Sequence, residues 1–359
     1  MTPVEADIHQ RIAIEGPLSV ARVVGLANAH YYATRDPLGA TGDFTTSPEI
    51  SQMFGELLGI LAAVTWSAMG SPASFRLVEL GPGRGTLMSD ALRAAGIVPG
   101  FINAASVHLV ETSPTLRAAQ ARTLTGIAPS LSWHDAAEDI PDGPLIVIAN
   151  EFFDALPIQQ FVRIGEGWHE RVVGLTGEKL AFGLSPQRAD ALVPSVLRGM
   201  PAGSMVETSP ASLQIVRTLA SRIARDKGAV IVIDYGHAQS GAGDTLQAVR
   251  DHQFTDVLTD LGAADLTAHV DFSALAAAGQ ETGVDVLGPT TQREFLLRMG
   301  LANRAAILKE KATPEQRVAI DAAFDRLTDA EPTGMGSLFK VLALTSGLPP
   351  LPGFEDLPE

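Results

Sequence analysis

Apolar and polar positions fall into blocks along this chain that predict strands alternating with helices. Leu77, Val78 and Leu80 form an apolar run that meets Gly81-Pro82-Gly83-Arg84-Gly85, and Leu87, Met88, Ala91 and Leu92 then recur at helical spacing. Further strands are expected at 106–110, 130–133, 145–149, 229–233, 284–287 and 338–344. The run at 145–149 is wholly apolar, as suits a central parallel strand covered on both faces. Helices are expected through Ile8, Ile12, Ile14 and Leu18, through Val20, Val23, Val24 and Leu26, and through Met53, Phe54, Leu57, Leu58 and Leu61. Others are expected from Ser209, with Leu213, Val216, Leu219 and Ile223 inward, and at 274–278, 291–299 and 314–327. Residues 158–183 alternate with period two and predict strands at 159–163, 168–173 and 180–183. The pattern predicts an α/β protein with a Rossmann-like sheet, an N-terminal helical segment and an inserted β/helical subdomain. The boundaries read as a 1–66 helical or lid segment, a core in two parts at 67–157 and 228–348, an insertion at 158–227, and a disordered proline-rich, acidic tail at 349–359.

The glycine turn is the chemical centre of this pattern. Alternate glycines let a ligand lie against the backbone and adopt positive φ at low cost. Dinucleotide sites use G-x-G-x-x-G to face a pyrophosphate, whereas here Glu79 stands two residues before Gly81 and the glycines follow as Gly81, Gly83 and Gly85. An acid there suits a cationic ligand. S-adenosylmethionine (SAM) carries an ammonium and no phosphate, so Glu79 is assigned its amino end and the turn its carboxypropyl arm. Glu111 ends the second strand, where an acid can accept both ribose hydroxyls; the alternative is a first-turn glutamate favoured by the helix dipole. His134 and Asp135 fall where adenine would lie. The polar segment at 31–49, which includes Asp43, is either a surface loop or a lid over the ligand.

The 145–149 strand ends in Asn150-Glu151-Phe152-Phe153-Asp154-Ala155-Leu156-Pro157, at the strand end where sheets of this kind bind ligands. Asn150, Glu151 and Asp154 are the catalytic candidates. Phe152 and Phe153 are candidates to wall a cationic substrate, against the alternative that one of them belongs to the core. In 265–272, His269 and Asp271 share a face if the segment is a strand; two such groups do not make a metal site, and a structural or substrate-lining role is favoured.

Composition narrows the partners. A net charge of −15 over 359 residues disfavours a nucleic-acid substrate and suits a cationic protein or peptide. The absence of cysteine excludes disulfides and thiolate chemistry. The first residues resemble neither a secretory signal nor a basic transit peptide, and no apolar run approaches a membrane span, so a cytoplasmic protein without membrane insertion is expected.

Gly42-Asp43-Phe44-Thr45-Thr46-Ser47-Pro48-Glu49, the Glu79 to Gly85 turn, the Asn150 to Pro157 loop, Asp234-Tyr235-Gly236 and the 265–272 segment together resemble the MidA family. The resemblance spans roughly residues 30–345. It implies a class I SAM-dependent methyltransferase fold and symmetric dimethylation of an arginine on the large 49 kDa-type subunit of respiratory complex I, or on its bacterial counterpart. Eukaryotic members are expected in the mitochondrial matrix. Three readings stay open: a protein arginine methyltransferase, a methyltransferase acting on another nucleophile, and a SAM-binding assembly factor without catalysis. The oligomeric state is also open, a homodimer included.

Overall fold

The computed structural model describes residues 1–34 and 46–355. The chain gathers into two compact units. One comprises Met1–Phe44, Phe153–Gln214 and Gln239–Asp271, and the other Thr45–Phe152, Ile215–Ala238 and Phe272–Glu359.

The second unit is built on strands β1 (Phe75–Leu80), β2 (Ala105–Val110), β3 (Leu131–His134), β4 (Leu145–Asn150), β5 (Gly228–His237), β6 (Asp285–Thr291) and β7 (Phe339–Thr345). Their order across the sheet is β6-β7-β5-β4-β1-β2-β3. Strands β3, β2, β1, β4 and β5 run parallel to one another, while β7 runs antiparallel to both β5 and β6. Every residue of β4 is buried, as its unbroken apolar run requires.

On one face, Leu77, Val107, Ile146, Ile148 and Ile231 pack with residues of helices α1 (Gln52–Ala68) and α2 (Thr86–Ala95) in one apolar core. The two helices meet backbone to backbone: a Cβ built on Gly59 would lie 2.2 Å from the Ala91 carbonyl oxygen. That contact seats the start of α2, and therefore the turn that leads into it. Buried Glu56 reinforces the contact by accepting hydrogen bonds from Arg93 at 2.5 Å and Arg304 at 2.7 Å.

Arg304 lies on the helix Leu301–Glu310, which the apolar periodicity does not reveal, because only Leu301 and Ala305 of that helix are buried. The tail is a second correction. Leu351 is 1% exposed and the Phe354 ring lies 5.4 Å from that of Phe295, so apolar burial orders the described part of a segment expected to be disordered.

In the first unit, helix Pro3–Glu15 is capped by a reciprocal Thr2–Glu5 pair. Its Val4, Ile8 and Ile12 join Val20, Val23, Val24 and Ala27 of helix Val20–Thr34 in a core with Val173 and Leu266. Ile14 is exposed and Leu18 is in a short strand paired with Val173, so neither extends the first helix's apolar stripe. The period-two segment forms antiparallel strands Gln159–Ile164, Gly167–Thr176 and Lys179–Arg188, joined by Met205–Thr208. Among the described residues, no helix is long and apolar enough to cross a membrane.

Candidate functional site

The glycine turn closes between β1 and α2 with Gly81, Gly83 and Gly85 at φ +61°, +52° and +82°. Gly81 donates its N–H to the Val110 carbonyl at 3.0 Å and Gly85 donates to Pro82 at 2.8 Å. A Cβ on Gly81 would come within 3.0 Å of the Phe152 ring. The turn therefore presents bare backbone, in the left-handed region where only glycine is at ease.

Glu79, one residue before the end of β1, is 3% exposed. Its Oε2 has no hydrogen-bond partner among the described residues. Burial pushes its carboxyl well above the usual range, opposed by the Met88 backbone N–H. A buried carboxylate oxygen without a donor is costly unless a ligand supplies one. A ligand ammonium meets that need, and with the bare turn it makes the site fit a cationic amino-acid end.

Glu111 follows β2 and is held from both sides. Its Oε1 accepts the Ser113 N–H at 2.8 Å and its Oε2 accepts Gln120 Nε2 at 3.3 Å. Burial raises its carboxyl, and these bonds act the other way. Gln120, on helix α3 (Pro114–Leu124), is fully buried, donates also to the Gly83 carbonyl at 2.7 Å and accepts Trp133 Nε1 at 2.8 Å. One amide thus ties the glycine turn to the acid after β2 and to β3. Sequence reasoning missed it, since a glutamine on a polar helix carries no local signal. Asp135 is the opposite case: its side chain is 79% exposed and pairs with Arg117 at 2.7 Å.

His134 is turned toward His108, with Nε2 2.9 Å from His108 Nδ1. Ser106 Oγ donates to the Phe75 carbonyl at 3.1 Å, so it accepts from His108 Nε2 at 3.0 Å. With the proton on Nε2, a neutral His108 accepts at Nδ1 from His134 Nε2. Burial, then His134, Arg76 and Arg222, lower its pKa to about 4. Because the unfolded chain binds this proton near pH 6.5, stability is fully present above that pH and is lost as pH falls toward 4. The expected loss is on the order of 1–2 kcal/mol after allowance for solvent screening. Urea midpoints at neutral and acid pH should fall less in His108→Gln than in the wild type; equal falls would remove His108 as the source.

At the end of β4, Asn150 is 7% exposed and donates Nδ2 to Glu151 Oε1 at 3.2 Å. The same carboxylate oxygen accepts the Ser47 N–H at 2.9 Å. Glu151 has φ +50°, an uncommon conformation for a residue with a side chain, and its N–H is anchored to the Ile233 carbonyl at 2.9 Å. Fully buried Asp234 accepts the N–H groups of Phe152 at 3.1 Å and Tyr235 at 2.9 Å, which fixes the next residue of the loop. The sheet unit thus brings Glu79, the three glycines, Glu111, Asp135, Asn150, Glu151 and Phe152 to the carboxyl ends of parallel strands.

Phe153, Asp154, His269 and Asp271 belong to the other unit. Phe153 is buried, and the Asp154 carbonyl accepts the Ala268 N–H at 3.0 Å. Tyr32 donates its hydroxyl to Asp265 Oδ1 at 2.8 Å; burial, then the charges of Asp265 and Asp154, raise the pKa of that hydroxyl well above normal. The 265–272 segment is not one continuous strand. Pairing of the Ala268 N–H with Asp154 interrupts it between Asp265–Thr267 and Val270–Asp271, and the His269 N–H goes to Thr245 Oγ1 at 2.9 Å. Asp43 lies outside the described residues.

Residues 57–290 match a family model described as a putative S-adenosyl-L-methionine-dependent methyltransferase. The chain is 40% identical over 356 residues to the zebrafish Danio rerio "Protein arginine methyltransferase NDUFAF7, mitochondrial", covering 91% of this chain and 83% of that protein. It is 38% identical over 374 residues to the human protein of the same name, covering 96% and 83%. Among solved structures, a protein from Burkholderia thailandensis bound to S-adenosyl-homocysteine superposes with a TM-score of 0.85 at 28% identity, covering 98% of this chain and 93% of that one.

Proposed function

This chain belongs to the S-adenosyl-L-methionine-dependent methyltransferase family that its residues 57–290 match, and from that premise we propose that it methylates an arginine of a protein substrate. Its cofactor is SAM, which when bound supplies an electrophilic methyl group on a sulfonium. Glu79, Gly81, Gly83, Gly85 and Glu111 would hold it, with Asp43 and Asp135 as further candidates: the unpartnered Glu79 oxygen takes the ammonium and Glu111 the ribose.

The observation that carries the arginine reading is a strand-end carboxylate, Glu151, held in a strained conformation in a chain 38–40% identical to proteins named arginine methyltransferases. Arginine is a poor nucleophile because its charge is delocalised and its pKa exceeds about 12. A carboxylate paired with the guanidinium holds it in plane and draws positive charge to one side, leaving another nitrogen free to attack. Glu151 does this in our reading, with Asn150 as its neighbour on the strand end, and Phe152 excludes water from the cation. Asp154, Phe153, His269 and Asp271 are proposed for the substrate side on their sequence motifs. The insertion at 158–227 serves the substrate side.

We further propose symmetric dimethylation of the large 49 kDa-type complex I subunit or its bacterial counterpart, in the cytoplasm of a bacterial cell. Calorimetric titration with S-adenosyl-homocysteine should give micromolar binding, about −8 kcal/mol. Transfer of a labelled methyl group to arginine peptides of that subunit, read by mass spectrometry, should follow. Binding with transfer only to small amines or hydroxyls would overturn the arginine assignment; binding with no transfer to the intact subunit would favour an assembly role.

A further inference from the structure

In the sheet unit, Glu79 Oε2, Asn150 Oδ1 and Ser47 Oγ are all buried oxygens without a hydrogen-bond partner among the described residues. Glu79 belongs to the glycine turn. The other two belong to residues that bond one group through their other atoms: Glu151 Oε1 accepts the Ser47 N–H at 2.9 Å and Asn150 Nδ2 at 3.2 Å. The bond from Nδ2 settles the orientation of the Asn150 amide, so its unpartnered atom is the acceptor oxygen. Ser47 is 0% exposed and Asn150 7%. A fold does not bury such atoms unpartnered without cost, and here both belong to residues bonded to a carboxylate at the end of a central strand.

Their chemistry specifies the ligand. A carboxylate beside two neutral acceptors suits a cation with many N–H groups, since the neutral oxygens take N–H donors without adding charge. A guanidinium carries five such donors in a plane, more than one carboxylate can satisfy. We propose that Ser47 Oγ and Asn150 Oδ1 accept N–H groups of the substrate guanidinium beside Glu151, which makes Ser47 a substrate-binding residue. This rests on the arginine reading above. The cofactor ammonium offers similar chemistry, so the experiment separates the two.

Ser47→Ala removes the hydroxyl oxygen and keeps the backbone N–H that Glu151 accepts. In the full chain, the expected result is an increase of about tenfold in KM for an arginine peptide, with the Kd for SAM and S-adenosyl-homocysteine within about twofold of wild type. Ser47→Cys, which keeps a weak acceptor, should fall between the two. Unchanged peptide KM in an active Ser47→Ala enzyme overturns the subsite and leaves the arginine reading intact. Weakened SAM binding with unchanged peptide KM gives the subsite to the ammonium and overturns its assignment to the substrate. A wild-type enzyme that binds S-adenosyl-homocysteine but transfers nothing to arginine overturns both.

Discussion

Glu151→Gln is expected to bind SAM within about twofold of wild type and to lose about 10²-fold or more in kcat. Glutamine keeps the length and one carbonyl oxygen, so it can still accept from Ser47 N–H or Asn150 Nδ2, which now share Oε1 at 2.9 and 3.2 Å. The backbone cost of φ +50° is the same for both residues, so folding is not at issue. What changes is charge: an amide cannot draw the guanidinium's positive charge toward itself, and that interaction strengthens as the attacking nitrogen gives up its share. Single-turnover transfer to an arginine peptide, paired with calorimetric SAM binding, reads the two effects separately. Transfer at the wild-type rate would show that Glu151 is a structural acceptor for Ser47 and Asn150 and that the acid acting on the substrate lies elsewhere.

Gly83→Val should abolish measurable SAM binding, a loss of about 100-fold or more, and cost on the order of 1–3 kcal/mol of stability. Gly83 has φ +52°, where a β-branched side chain clashes with its own backbone. Relief of that clash moves the Gly83 carbonyl, which accepts Gln120 Nε2 at 2.7 Å. The movement then spreads through the amide to Glu111, the proposed ribose acceptor, and to Trp133. Calorimetry with S-adenosyl-homocysteine, together with urea denaturation to verify folding, tests both parts. Wild-type affinity in a folded variant would remove the turn from the cofactor site.

Much of this was legible in the residues because local physics encodes it. The run of Leu145 to Ala149 has no polar face to expose, so it forms a central strand, and glycines at 81, 83 and 85 appear where the backbone takes positive φ. The Ser-Pro pair at Ser113 caps a helix as its residues suggest, whereas Ser47-Pro48, which should cap the helix through Met53 and Leu61 in the same way, opens only the turn Ser47–Ile50, and that helix starts at Gln52 with Ser51 as its cap. Weakly amphipathic helices escape such reading, as 301–310 did, and so do short segments ordered by a few distant apolar contacts, as Leu351 and Phe354 are.

The sequence by itself determined the order of strands and helices, the glycine turn and the set of strand-end acids, because hydrophobic period and turn chemistry act over a few residues. Tertiary structure alone decided how these elements combine: that the last strand enters antiparallel between β5 and β6, and that three separated stretches build one compact unit while Glu151 and Asp154, three positions apart, fall in different units. It also decided which polar atoms are satisfied. Ser47 meets Glu151 across 104 residues and Gln120 meets Gly83 across 37, and no local pattern encodes such pairings because each exists only once distant segments have packed.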